Sequence, residues 1–144
     1  MSAMTLVPGN AADAGVDLLQ RAMQLHQQGA SDAAEQLYLQ IPEGDPQHAD
    51  ALHLRGLLRA QRREWEAAQA LIWQAITLKP DEAMFHNNLG NVCLERGMAR
   101  EAEAMYVRAI ELDPGRIDAL NNLGLLTMRA GRLADAETLL GRAV

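Results

Sequence analysis

Small and apolar residues recur along this chain at a fixed interval of 34 positions. The sequence Asn-Asn-Leu-Gly begins at Asn87 and again at Asn121, and the same interval relates Ala102 to Ala136. Towards the N-terminus it reaches alanine and proline at matching positions: Ala34, Pro46, Ala68 and Pro80. A period of this length is typical of stacked helical or strand units. We therefore divide the chain into four units that begin near residues 15, 49, 83 and 117.

Each unit is predicted to form two helices joined by a short turn. Positions 4, 7, 8 and 11 of a unit lie together on a helix of 3.6 residues per turn, and they hold recurring apolar and small residues. Pro80 and Pro114 end second helices, because proline lacks an N–H and disfavours helical geometry in the preceding residue. The predicted helices cover residues 15–28, 31–40, 49–61, 65–78, 83–95, 99–112, 117–129 and 133–144.

The turn inside each hairpin has its own signal. Gly29, Gly97 and Gly131 occupy this turn in three units, where a left-handed residue commonly ends a helix. The second unit has Arg63 at the same position. We expect that turn to be strained.

Composition favours an all-α fold. Apolar residues make up 49% of the chain, but aromatic residues only 3%, so the core consists mainly of alanine, leucine, methionine and isoleucine. Alanine and leucine are strong helix formers. The net charge of −6 and the lack of a basic cluster argue against nucleic-acid binding.

The sequence also predicts a cytoplasmic protein without a membrane span. No stretch approaches the roughly 20 apolar residues that a spanning helix needs. No apolar run near the N-terminus is long enough for a signal peptide. The single cysteine, Cys93, has no partner for an intrachain disulfide.

The repeat carries the signature of a known family. The signature positions of the third unit are His86, Leu89, Gly90, Cys93, Ala102, Tyr106, Ala109 and Pro114. This pattern resembles the tetratricopeptide repeat (TPR), whose consensus is W-x2-L-G-x2-Y, then A-x3-F, then P. The resemblance implies an all-α solenoid of about four antiparallel helix hairpins in a right-handed superhelix. It covers residues 15–144, as repeats 15–48, 49–82, 83–116 and a truncated 117–144, after a flexible segment 1–14.

In this family the first helices line a concave groove that binds extended peptides. Positions 2, 5, 6, 9, 12 and 13 of each unit lie on that side of the predicted helix. The candidate peptide-binding residues taken from it are Gln20, His53, Asn87, Asn88, Asn91, Glu95, Asn121, Asn122 and Arg129.

Asparagine is concentrated on this face, and its side chain offers both a donor and an acceptor to a peptide backbone. Asn88 and Asn122 share position 6 and are similar to the asparagine ladder of O-linked N-acetylglucosamine transferases. Leu54 interrupts this ladder in the second unit. The alternative is that the asparagines are polar residues of a wetted face, or pair with one another between repeats.

The groove lacks the lysines and arginines with which chaperone-binding members of the family hold a carboxylate. Nor does the sequence contain a phosphate-binding glycine loop, and its four histidines lack metal-ligand spacing. His86 is expected to be a packed residue and Cys93 a buried thiol. We therefore predict no enzyme activity, no cofactor and no metal.

The leading functional hypothesis is a protein-interaction module that binds an extended peptide or a protein partner. One alternative is the substrate-selecting arm of a larger glycosyltransferase-type enzyme. Another is a self-assembling scaffold, because no capping helix follows the last repeat. We expect Leu133, Ala136, Leu140 and Ala143 of that helix to be exposed and to promote self-association.

Overall fold

The computed structural model describes residues 11–144, which contain eight α-helices and no strand. The helices are α1 (Ala11–Gln27), α2 (Ser31–Leu39), α3 (His48–Gln61), α4 (Trp65–Leu78), α5 (Ala83–Glu95), α6 (Ala99–Leu112), α7 (Ile117–Arg129) and α8 (Leu133–Arg142). The predicted all-α fold is confirmed. Helix α1 begins at Ala11, four residues before the predicted start, and α8 ends at Arg142. The expectation for residues 1–10 lies outside the described residues.

No helix within residues 11–144 is long and apolar enough to cross a bilayer. The chain divides into two compact units, one ending at Ala51 and the other spanning Leu52–Val144. Each unit is described by itself.

The unit that ends at Ala51 contains α1, α2 and the start of α3. Its core joins Ala22 of α1 to Ala34 and Tyr38 of α2, all fully or almost fully buried. Helix α2 is short: it ends at Leu39, and Pro42 in the following loop has no N–H with which to continue a helix. In that loop the Gln47 N–H donates to Asp45 Oδ1 over 2.8 Å.

In Leu52–Val144, each helix from α4 to α8 packs against the next one along the chain. The first helix of each hairpin carries a glycine at position 8, and a side chain of the second helix lies directly over it. The pairs are Gly56 with Ile72, Gly90 with Tyr106, and Gly124 with Leu140. The repeated glycine therefore sets the close packing within each hairpin, as the sequence predicted.

The hairpin turns differ in their backbone strain. Gly29, Gly97 and Gly131 have φ angles of 82°, 75° and 79°. Arg63 has a φ of 60° and is the one non-glycine residue within residues 11–144 with a positive φ. The predicted strain in the second hairpin is therefore present, because a Cβ atom disfavours this geometry.

The expected exposure of the last helix is wrong for Ala136 and only partly right for Leu140 and Ala143. Ala136 is only 3% exposed, and Leu140 and Ala143 are partly buried. Ala136 and Leu140 pack against α7 within their own hairpin, as the contacts around Gly124 show. Only Leu133, at 66% exposure, matches the prediction.

Candidate functional site

An open pocket of about 440 Å³ lies in the unit Leu52–Val144. The end of α3, the first residue of α4 and the second half of α5 form its walls. Its lining residues are Leu57, Ala60, Gln61, Trp65, Asn88, Asn91, Val92, Leu94 and Glu95. This volume falls within the range of about 300–1,000 Å³ that is usual for ligand sites.

The repeat itself builds this pocket. Leu57, Ala60 and Gln61 occupy positions 9, 12 and 13 of the second unit. Asn91, Leu94 and Glu95 occupy the same positions of the third unit. Residues three or four apart share a helix face, so two successive first helices present equivalent side chains to the pocket.

A network of asparagine side chains connects α5 with α6 and α7. The Asn122 Nδ2 donates to Asn87 Oδ1 over 3.0 Å and to Asn91 Oδ1 over 3.1 Å. The Tyr106 hydroxyl donates to Asn91 Oδ1 over 2.8 Å, and Asn87 Nδ2 donates to Asp118 Oδ2 over 3.3 Å. Three of the candidate asparagines therefore pair between repeats, which is the alternative considered from the sequence.

Asn87 is the most deeply buried asparagine of this network. Its side chain is 2% exposed, and both its oxygen and its nitrogen have protein partners. A buried amide with a partner at both its oxygen and its nitrogen stabilises packing. The burial of Asn87 argues against the direct peptide contact that the sequence suggests for it.

His53 is buried as well, at 1% exposure. Its Nε2 lies 2.9 Å from Asn88 Nδ2, and its ring centroid lies 4.5 Å from that of Phe85. Because an amide nitrogen only donates, Nε2 accepts and the ring proton lies on Nδ1. His53 therefore supports Asn88 from below and does not reach the open groove. The helix wheel could not predict this, because burial at position 5 depends on the neighbouring α5.

The other candidate residues are accessible. Asn91 and Glu95 are exposed on α5, and Asn121 and Arg129 are exposed on α7, while Asn88 and Asn122 are partly exposed. Gln20 is exposed on α1, in the unit that ends at Ala51.

The structure adds two pocket residues that the sequence did not suggest. Trp65 is the first residue of α4; it lines the pocket and is partly exposed. Val92 forms part of the pocket wall beside Asn91 and is mostly buried. The sequence pattern identifies neither one, because positions 17 and 10 are not among those that the helix wheel places on the groove side.

Several polar groups at the pocket have atoms that are not used in hydrogen bonds within the protein. Within residues 11–144, Asn88 Oδ1 and Asn91 Nδ2 have no hydrogen-bond partner, and neither has the Glu95 carboxylate. Together they offer acceptors and a donor above an apolar floor. Such an arrangement suits a peptide backbone with side chains that enter the pocket.

Two buried groups near the pocket, Tyr106 and Cys93, have raised pKa values that favour their neutral forms. Burial raises the pKa of Tyr106 to about 12, with smaller contributions from Cys93 and Glu95. Burial also raises the pKa of the Cys93 thiol, followed by the charge of Glu101. A buried neutral thiol is a weak nucleophile. No group of three metal-ligating side chains occurs within residues 11–144.

Two family models, both described as tetratricopeptide repeat, match residues 53–115 and 93–144. Together they cover more than half of the chain. No curated protein matches it.

Solved structures are similar to the chain in fold. MamA is 24% identical with a TM-score of 0.78, over 95% of this chain and 78% of that one. The first TPR of Spaghetti, bound to an HSP90 peptide, is 19% identical with a TM-score of 0.75, over 83% of this chain and 95% of that one. An O-GlcNAc transferase mutant from Thermobaculum terrenum is 28% identical with a TM-score of 0.75. That match covers 88% of this chain and 23% of the transferase.

Proposed function

Because the chain belongs to the tetratricopeptide repeat family, we propose that it is a protein-interaction module that holds an extended peptide segment against α3 and α5. The observation that carries the proposal is the pocket of about 440 Å³, lined by Asn88 and Asn91, whose Oδ1 and Nδ2 atoms respectively have no hydrogen-bond partner within residues 11–144. Amide side chains pair with peptide backbone groups whatever the peptide sequence. The first TPR of Spaghetti, bound to a peptide in its solved structure, supports the proposal.

The proposed contacts fall into two groups. Asn88, Asn91 and Glu95 line the pocket and contact the peptide directly. Asn121, Asn122 and Arg129 on α7 extend the contact surface to the next first helix of the same unit. Gln20 on α1 belongs to the other unit and is a candidate contact residue there. His53 and Asn87 act indirectly, by orienting Asn88 and Asn122 through hydrogen bonds.

The proposal assigns this chain to binding and not to catalysis, in a cytoplasmic protein. The buried neutral thiol of Cys93 supports the first part. An arm of a larger glycosyltransferase-type enzyme would use the same pocket in the same way, so a peptide-binding test applies to both.

The test blocks the pocket with a bulky side chain on one of its own lining residues. Ala60 lines the pocket on α3 and is partly exposed, so Ala60→Trp places an indole in the peptide's space. Ala104 is exposed on α6 outside the pocket, and Ala104→Trp is the matched control. We expect Ala60→Trp to weaken binding to an array of extended peptides at least tenfold, and Ala104→Trp to leave it unchanged. Equal binding by both variants would contradict the proposal, provided that their melting temperatures agree.

Self-association is a second candidate function, favoured by apolar side chains that remain exposed on α7 and α8. They are Ile117, Leu125, Met128 and Leu133. Exposed apolar surface of this kind tends to find a partner. If it drives self-association, Leu133→Lys will lower the average mass measured by sedimentation across a concentration series. A concentration-independent monomer in the unaltered protein would exclude it.

A further inference from the structure

The pocket has an electrostatic character that restricts which peptide fits. Glu95 is exposed at its rim, and its carboxylate has no basic partner within residues 11–144. Some other glutamates are paired with arginine, such as Glu64 with Arg59 at 2.9 Å and Glu103 with Arg132 at 2.7 Å. No lysine or arginine lines the pocket. Glu95 therefore keeps its charge available to a ligand.

Two helix ends add to this negative character. Gln61 is the last residue of α3 and Glu95 is the last residue of α5, and both line the pocket. A helix C-terminus carries a partial negative charge and favours a nearby cation. The charge of Glu95 also acts on the Tyr106 hydroxyl, because it makes a small contribution to the raised pKa of that group.

The arginines near these two helix ends do not line the pocket. Arg96 NH1 donates to Gln69 of α4, and Arg59 is held by Glu64.

The rest of the lining is apolar. Leu57, Val92 and Leu94 contribute aliphatic side chains, and Trp65 contributes an aromatic one. An indole face attracts a lysine or arginine side chain within about 6 Å of the ring centre. The pocket thus combines an apolar floor, an aromatic wall and one unpaired carboxylate.

We propose that this pocket selects a peptide segment in which an apolar side chain neighbours a lysine or arginine, whose cationic group pairs with Glu95. The apolar side chain lies on Leu57 and Leu94, and the backbone pairs with Asn88 and Asn91. The proposal rests on the proposed peptide-binding function and adds the chemical class of the ligand. The pocket would prefer a positively charged ligand, whereas the lysines and arginines of chaperone-binding family members hold a negatively charged carboxylate.

The experiment measures binding to a designed peptide series by fluorescence anisotropy. Each labelled peptide has Gly/Ser flanks around a central pair of leucine and one variable residue: lysine, glutamine or glutamate. We expect the unaltered protein to bind the lysine peptide roughly fivefold more tightly than the glutamine peptide, as for a partly exposed ion pair of about 1 kcal/mol. The glutamate peptide should bind most weakly, and high salt should reduce the differences.

Two variants at Glu95 separate charge from shape. Glu95→Gln should bind the lysine and glutamine peptides equally, and Glu95→Lys should prefer the glutamate peptide. Glu137 is exposed on α8 outside the pocket, so Glu137→Lys makes the same change in net charge as a control. It should keep the preference for lysine.

The outcomes distinguish this inference from the proposed function. If Ala60→Trp abolishes binding but the unaltered protein shows no preference for lysine, the inference is wrong and the peptide-binding function stands. A lysine preference that persists in Glu95→Lys would also overturn it. If no peptide binds in a manner sensitive to Ala60→Trp, both proposals fail.

Discussion

Arg63 is in a backbone conformation that three glycines adopt in the equivalent turns. Its φ of 60° lies in the left-handed region, which costs an L-residue with a Cβ about 1–2 kcal/mol. Its side chain is exposed. The repeat pattern predicts this strain, because the period fixes the position of the turn.

Replacing Arg63 by glycine should stabilise the protein. We expect Arg63→Gly to raise the free energy of unfolding by about 0.5–1 kcal/mol, since relief of strain exceeds the extra chain entropy of glycine. Urea denaturation measures the effect. Arg62 has no positive φ, so Arg62→Gly is the matched control and should destabilise. A less stable Arg63→Gly variant would show that the Arg63 side chain matters more than its backbone.

The asparagines show where sequence-based prediction ends. The helix period places Asn88, Asn91 and Asn122 on one side of α5 and α7, and the structure agrees. The helix period does not predict that the Asn122 amide donates to two asparagines of the preceding repeat. Such partners depend on the distance between the packed helices. The sequence therefore indicated the face, but not which amides are available to a ligand.

At the scale of the helix pair, Gly90 and Tyr106 determine how closely α5 and α6 pack. A Cβ atom at position 90 would lie 2.5 Å from Tyr106 Cε1. The ring has little room to move, because it is buried and its hydroxyl is held by Asn91.

We expect Gly90→Ala to destabilise the protein by about 1–3 kcal/mol, since overpacking outweighs the better helix propensity of alanine. Gly141 of α8 provides a matched control, because a Cβ atom there meets nothing within 4 Å. Gly141→Ala should stabilise by up to about 1 kcal/mol. Thermal unfolding monitored by circular dichroism compares the two. A neutral Gly90→Ala variant would mean that α5 and α6 can separate without cost.

Helix positions are the most predictable part of this fold. Prolines, turn glycines and the 34-residue period predict the first and last residues of α4, α5, α6 and α7 correctly. The ends of the array were less predictable: α1 begins earlier than expected, and the apolar face of α8 is partly buried. The reason is that the period describes contacts between adjacent helices, and terminal helices have fewer neighbours.

Across the whole chain, two buried tyrosines make stability sensitive to high pH. Burial raises the pKa of Tyr38 to about 12, and mainly burial raises that of Tyr106 to about 12, from an ordinary value of 10. The unfolded chain therefore ionises first. The contribution of both groups is complete below about pH 10 and is lost as the pH rises to about 12.

Urea denaturation at a series of pH values tests this behaviour. We expect stability to fall between about pH 10 and pH 12, and Tyr106→Phe to reduce the slope in that window. Each tyrosine belongs to a different unit, so Tyr38→Phe should reduce it independently. A fall in stability that is the same in both variants and in the unaltered protein would assign the effect to other groups.

The two tryptophans differ in surroundings, and this gives the protein a built-in optical reporter. Trp65 lines the pocket and is partly exposed, while Trp73 is 54% exposed on the outer side of α4. With Trp73→Phe, all indole emission comes from the pocket wall. Occupation of the pocket would then shift that emission and shield it from iodide, so that a ligand is detected without any label.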